Sequence, residues 1–278
     1  MLPHATIADI PNDVRASILR GLEEIERVEN VRIVLAVESG SRAWGFASTD
    51  SDFDVRFLYV RPVEDYAALF LPRDVIERPI EGDLDFSGWD LRKALALGLR
   101  WNPALIEWLT SPITYLERGW EADAMRQLFA RPLSRDALIR HYFGLALKQF
   151  ARHIDGRPAV NLKKYFYVVR PAVALLWLEK RPDETPPMSL PQLLDGVELP
   201  PDTASAIIDL RDRKSRVNEF GSGERIGAID RFCSDRLDWA RARLSKSSLQ
   251  ANAETKRAAG DVFRSSIFGR EEPSGLGG

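Results

Sequence analysis

The chain has one cysteine in 278 residues, Cys233, which excludes an intramolecular disulfide and any Cys-rich zinc site. Histidine is almost as scarce. His4, His141 and His153 show no H-x-E or H-E-x-x-H spacing, which argues against a zinc enzyme. No apolar run approaches the length of a membrane span. The opening MLPHATIADIPNDVRAS lacks the basic start and long apolar stretch of a signal peptide, so a cytoplasmic protein with no membrane partner is expected. An excess of one charge is missing too: at a net charge of −2, any nucleic-acid site has to be a local basic patch. What remains, 45% hydrophobic and 29% charged, is the composition of a soluble globular chain. Its length suits one large domain or two ordinary ones.

Apolar residues at spacings of three and four predict a first helix over PNDVRASILRGLEEIERVEN, capped by Asn12 or Asp13. VRIVLAVES reads as an apolar, β-branched strand ending at Gly40-Ser41. DVRFLYV is a second, stopped by Arg61-Pro62, and RPIEGDLDFSGW a third, interrupted by Gly82. EDYAALFL, DLRKALALGLRW and PALIEWLTS read as helices, the last capped by Asn102 with Pro103 in its first turn. Strands and helices interleave to about residue 118. From about 132 to 245 the pattern is helical, with Pro171 expected to kink or split one helix. After 246 there is little apolar periodicity, and the last nine residues are polar, Gly-rich and expected to be disordered. The expected fold class is α+β: a small mixed sheet with flanking helices over 1–118, an all-helical domain over 119–245, and a partly disordered tail over 246–278.

The most informative stretch is ESGSRAWGFASTDSDFDVRFLYV, residues 38–60. Residues i and i+2 of a strand face the same side, so Asp52 and Asp54 present two carboxylates together. Unpaired, they repel, and one tends to take up a proton. A divalent cation removes that penalty and prefers oxygen ligands, which points to Mg²⁺ or Mn²⁺. The alternative is a turn, since STDSDFD is rich in turn formers and Asp50 or Asp52 could cap the loop. The context favours the metal: Gly40 lets the backbone approach a ligand closely, and Ser41 with nearby backbone N–H groups can hold phosphate oxygens. Phosphate binding at one end and carboxylates at the other match a metal-bound nucleoside triphosphate.

This Gly-Ser, spacer, Asp-x-Asp layout resembles the DNA polymerase β-type nucleotidyltransferases. The longer string, with GWDLRKAL, NPALIEWLTSPITY and KKYFYVVRP downstream, is similar to one branch of them, the RNA repair pathway DNA polymerase β family. The resemblance spans residues 38 to about 175 and weakens to about 240. It implies a two-metal, NTP-dependent nucleotidyltransferase in which Asp52, Asp54 and a third carboxylate hold Mg²⁺ or Mn²⁺. Asp85 is the first choice for the third, with Asp83 second; Asp90 lies where a helix starts and can equally be its N-cap. The resemblance further implies that Gly40 and Ser41 hold phosphates, that Trp44, Gly45 and Phe46 shape the active-site loop, and that an RNA end is the acceptor. A protein or small-molecule acceptor, or a non-catalytic nucleotide-binding protein, are the alternatives.

Three further readings come from the residues. Arg42 either reaches a triphosphate or pairs with Asp50 or Glu38. Glu38, an acid at a strand end, either positions Arg42 or is solvated. Residues 140–181 hold nine Lys/Arg against Asp155 and Glu179, an excess of seven positive charges. There, Lys163, Lys164, Tyr167 and Arg170 are candidate contacts to nucleotide or RNA, with Lys163, Tyr167 and Arg170 on one helix face. The alternative is a solvated basic face with Tyr165, Phe166 and Val169 in the core. The oligomeric state has no signature in the sequence.

Overall fold

The computed structural model describes residues 10–47, 51–130, 135–216, 221–244, 251–271 and 273, without the side chains of 212–216. In chain order the first elements are α1 (Asn12–Glu29), β1 (Arg32–Ser39), α2 (Gly40–Ala43), β2 (Phe53–Val60), α3 (Val63–Tyr66) and β3 (Val75–Glu77). Next come β4 (Leu84–Asp90), α4 (Leu91–Gly98), α5 (Pro103–Leu109), β5 (Thr114–Glu117) and α6 (Glu121–Leu128). They are followed by α7 (Arg135–His153), β6 (Ala159–Asn161), α8 (Leu162–Lys180), α9 (Leu190–Gly196) and α10 (Pro201–Arg216). The last are β7 (Ser222–Glu224), α11 (Gly227–Arg241) and α12 (Ala253–Ile267). α1 to α6, β1 to β5 and α12 form one compact unit; α7 to α11, β6, β7 and the segment from Trp44 to Ser51 belong to a second.

The first unit is built on a mixed sheet of order β3-β4-β2-β1-β5. β1 runs antiparallel to β2 and β5, and β4 runs parallel to β2 and antiparallel to β3. Strand alternation sorts β2 cleanly: Phe53, Val55, Phe57 and Tyr59 join Ile18, Leu22 and Ile25 of α1 in one buried cluster. The same period of two sends Asp54 and Arg56 to the opposite face. In the second unit α8 is the central helix, with every residue from Val168 to Leu178 buried, and it packs against α7, α9 and α11. β6 and β7 form a separate two-stranded ribbon.

The α+β class holds, but several local expectations change. α1 starts after Pro11 with no side-chain cap, so neither Asn12 nor Asp13 has the cap role. Asn102 does cap α5, accepting from the Ala104 and Leu105 N–H groups, with Pro103 in the first turn. Of EDYAALFL only the first turn is helical, and Leu69 and Phe70 are exposed. β3 and β5, of three and four residues, are too short to show an alternation. α8 runs through Pro171 without interruption, because burial on neighbouring helices outweighs one missing hydrogen bond.

The tail is the largest change. Residues 253–267 form a helix, capped by Asn252, whose side chain accepts from the Thr255 N–H. Its buried face is Ala259, Val262 and Ser266, residues so small that the hydrophobic period is faint in the sequence. Residues 272 and 274–278, where disorder is expected, lie outside the described residues, as does Asp50. Among the described residues no helix is long and apolar enough to cross a membrane.

Gly88 of β4 stands opposite Phe57 of β2, and a Cβ on it would meet the buried Phe57 ring at 2.1 Å. The Gly88→Ala variant should therefore lose about 1–3 kcal/mol of stability through overpacking, read from urea unfolding.

Candidate active site

Of the candidate acids, Asp54 and Asp85 are brought together, where β2 and β4 begin. Their parallel register places Asp54 directly opposite Asp85, and Asp52 precedes β2 by one residue. Asp52 is exposed, while Asp54 and Asp85 are half-buried. Asp83 is exposed, and its carbonyl accepts the Phe53 N–H at 2.7 Å. Asp90 lies at the far end of β4. Its carboxylate caps α4 by accepting the Arg92 N–H at 2.8 Å and also accepts the Tyr66 hydroxyl at 2.9 Å.

Gly40 closes one side of the Asp54 carboxylate. Its φ is +66°, and a Cβ built on it would lie 1.9 Å from Asp54 Oδ2. Glycine is required here twice over, for its backbone conformation and for the close approach. Ser41 and Arg42 in the next turn are buried. Arg42 lays its guanidinium over the Phe53 ring, 3.8 Å from the centroid, and its Nε donates to the Asp52 carbonyl at 3.3 Å.

Arg56 is a participant that the sequence reading missed. Its Nη2 donates to Asp54 Oδ1 and to Asp85 Oδ2, both at 2.8 Å, and its Nη1 to the Asp85 carbonyl at 3.0 Å. The signal was present: the alternation that pairs Asp52 with Asp54 puts Arg56 on the same face.

Glu38 is completely buried. Its Oε1 accepts the Asp54 N–H at 3.0 Å, and its Oε2 accepts the Tyr115 hydroxyl. Burial pushes its carboxyl up to about 7, against the opposing pull of the Tyr115 and Asp54 hydrogen bonds. Asp54 is also raised, first by burial and then by the nearby Asp85 and Asp52 charges, with Arg56 pulling the other way. Burial raises the Tyr115 hydroxyl as well, and the neighbouring Glu38 adds to it.

These observations test whether a metal suits the centre. The donors are all carboxylate oxygens, which hard divalent cations prefer, and a cation would offset the Asp85 and Asp52 repulsion that adds to burial in raising Asp54. In chemistry the residues therefore suit a hard divalent cation. Arg56 supplies the neutralising charge along the Asp54–Asp85 edge, and no preformed group of three or more His, Cys, Asp or Glu ligands is present among the described residues.

The basic candidates belong to the helical unit. Lys163 and Lys164 are half-buried in the first turn of α8, and Lys164 Nζ lies 4.8 Å from the Tyr167 ring centroid. Burial, then Lys163 and Arg152, push the Lys164 ammonium down. His153 is likewise lowered, by burial and then by Lys164, Arg152 and Arg157. The end of α7 and the start of α8 thus share one spot of crowded positive charge. Arg170 does not share its solvent face. It is buried, stacks its guanidinium on Trp44 at 4.4 Å, and donates from Nη1 to the Met188 carbonyl at 3.2 Å. Trp44 and Phe46 pack with Tyr167, and Phe46 stacks on Phe166 at 5.4 Å. Tyr165 and Phe166 are core.

A Gly-Ser turn beside acids on neighbouring strands of a small mixed sheet is the layout of a nucleotidyltransferase of the polymerase β type. The chain belongs to the RNA repair pathway DNA polymerase beta family, which it matches over residues 14–264. It is 39% identical over 251 residues to the uncharacterized protein YcgL of Bacillus subtilis (strain 168), a match covering 90% of this chain and 94% of that one. Among solved structures, it is similar to a nucleotidyltransferase-like protein from Exiguobacterium sibiricum 255-15. That match covers 93% of this chain and 81% of the other, at 14% identity and a TM-score of 0.26.

The raised carboxyl of Glu38 has a consequence for stability. A group that holds its proton more tightly when folded stabilises the fold fully below its ordinary value of 4.5, and that contribution is lost as pH rises towards about 7. The stability of the wild type relative to Glu38→Gln should therefore fall between these two pH values and level off above them, measured by urea unfolding across the range.

Proposed function

We propose that this chain transfers a nucleoside monophosphate from a nucleoside triphosphate to a hydroxyl at an RNA end. The observation that carries the reading is the meeting of Asp54 and Asp85 across β2 and β4, with Asp52 two residues before Asp54 and Gly40 against the Asp54 carboxylate. Asp52, Asp54 and Asp85 are the proposed ligands of Mg²⁺ or Mn²⁺. Such a cation supplies the positive charge that both the attacking oxygen and the leaving pyrophosphate require. Gly40 and Ser41 bind the β- and γ-phosphates, and Arg42 adds a cation to the same turn. The acceptor oxygen forms a bond to the α-phosphorus as the bond to the bridging oxygen breaks. The acceptor hydroxyl gives up its proton to solvent, and pyrophosphate leaves.

Arg56 bridges Asp54 and Asp85, and Asp85 would hold a cation in place of this ion pair. In the helical unit, Lys163 and Lys164 beside Arg152 offer charge to phosphates, and their crowding is relieved by an anion. Tyr167 offers a ring to a base. Arg170 acts through Trp44, which it holds from the interior.

The test is transfer of label from each α-³²P nucleoside triphosphate with Mg²⁺ or Mn²⁺, to an RNA pool and separately to a protein extract. Label on RNA that disappears in the Asp52→Ala/Asp54→Ala variant is the expected result. Label on protein alone would replace the acceptor, and no label with nucleotide still bound would mean a non-catalytic nucleotide-binding protein. A second expectation concerns the basic spot. Lys163→Ala/Lys164→Ala should weaken RNA binding across sequences and flatten its log–log salt dependence by about 1 for each lysine that contacts a phosphate, measured by filter binding.

A further inference from the structure

We propose that Glu38 is a positioning residue: its buried side chain, seated by Tyr115, fixes the backbone of Asp54 and so aims the Asp54 carboxylate. The inference rests on the function proposed above, because it concerns the same centre.

Ser39 is the last residue of β1 and pairs with Asp54, after which the chain turns away at Gly40 with its positive φ. At this end of the ladder the Asp54 N–H is taken by a side chain, with Glu38 Oε1 3.0 Å away. The other carboxylate oxygen accepts the Tyr115 hydroxyl, so both oxygens are engaged. The Glu38 main chain is pinned as well. Its N–H donates to the Ile113 carbonyl at 2.9 Å, and its own carbonyl accepts the Ser111 hydroxyl at 2.6 Å. Ser111, Ile113 and Tyr115 all come from the turn after α5 and from β5, so one short segment seats the whole residue.

An acid here is an expensive choice. The preceding residues of β1, Ile33 to Val37, are all buried and apolar, and an apolar side chain at 38 would extend that core. It would also leave the Asp54 N–H without this acceptor at the point where the strand must hold a carboxylate in place. Three contacts then constrain Asp54: Glu38 behind its backbone, Gly40 against one carboxylate oxygen and Arg56 on the other. Of these, the Glu38 contact alone does not touch the carboxylate, so a cation there would not compete with it. Groups that orient a metal ligand in this way typically matter by 10- to 100-fold in metal affinity or activity.

The experiment uses the full chain and reads Mn²⁺ affinity by electron paramagnetic resonance without acceptor, alongside kcat and KM for transfer and the melting temperature. Glu38→Ala should bind Mn²⁺ about 10-fold more weakly and lose kcat by a similar factor, with KM for the nucleotide nearly unchanged. Glu38→Gln should restore most of both, because an amide can still accept the Asp54 N–H and share a hydrogen bond with Tyr115. Should Glu38→Ala not fold, Tyr115→Phe takes its place and is expected to move Mn²⁺ affinity in the same direction. Wild-type Mn²⁺ affinity and kcat in whichever of these variants folds would overturn the proposal, as would Glu38→Gln being as damaged as Glu38→Ala. A wild-type protein that binds no Mn²⁺ and transfers no nucleotide would instead remove the functional reading, and this inference with it.

Discussion

Two carboxylates on adjacent parallel strands, Asp54 and Asp85, face each other at the start of β2 and β4, and much of the first unit answers to that juxtaposition. Burial first, and then the neighbouring Asp85 charge, raise the Asp54 carboxyl, so the ionised pair is unfavourable here. Arg56 offsets the repulsion with one nitrogen shared between the two acids. Gly40 gives up a side chain so that the turn after β1 can lie against Asp54. Glu38, itself a buried acid, holds the Asp54 backbone from behind.

The sheet supplies the rigidity this requires. Phe53, Val55, Phe57 and Tyr59 are locked against α1, so the alternate residues of β2 have no freedom to slip. A one-residue shift would carry Asp54 and Arg56 into the apolar cluster. β4 is tied to β2 over seven paired positions, from Leu84 to Asp90, which sets Asp85 opposite Asp54 and sends Asp90 to the other end. One strand thus carries two acids with separate duties. Asp85 is in the centre, and Asp90 starts α4.

The helical unit uses positive charge in two ways. Arg170 is spent in the interior, where its flat guanidinium covers Trp44 and its donor meets the Met188 carbonyl. Lys163 and Lys164, about two turns earlier on α8, gather with Arg152 at the helix end, where burial and mutual repulsion lower the Lys164 ammonium. The same helix therefore keeps one cation as packing and concentrates others where burial and repulsion disfavour their charge. Tyr167 lies between the two, against Trp44 and Phe46 on one side and Lys164 on the other.

Local spacing was enough to reveal the principal strands, most helices and the Gly-Ser turn, since all follow from periods of two or 3.6 and from glycine's backbone freedom. The same period carried Arg56, though nothing local says that an arginine two residues on will bridge to another strand. Strand register, which places Asp85 rather than Asp83 or Asp90 opposite Asp54, is decided by pairing between segments some thirty residues apart. Tyr115 and the seat it makes for Glu38 were hidden because β5 is only four residues long, too short for its alternation to show. α12 was hidden because its buried face is made of small side chains, and Arg170 because a helical period cannot tell a solvated arginine from one stacked on a tryptophan. The sequence by itself determined which side chains share a face; tertiary structure decided which faces meet, because that depends on the packing of segments far apart in the chain.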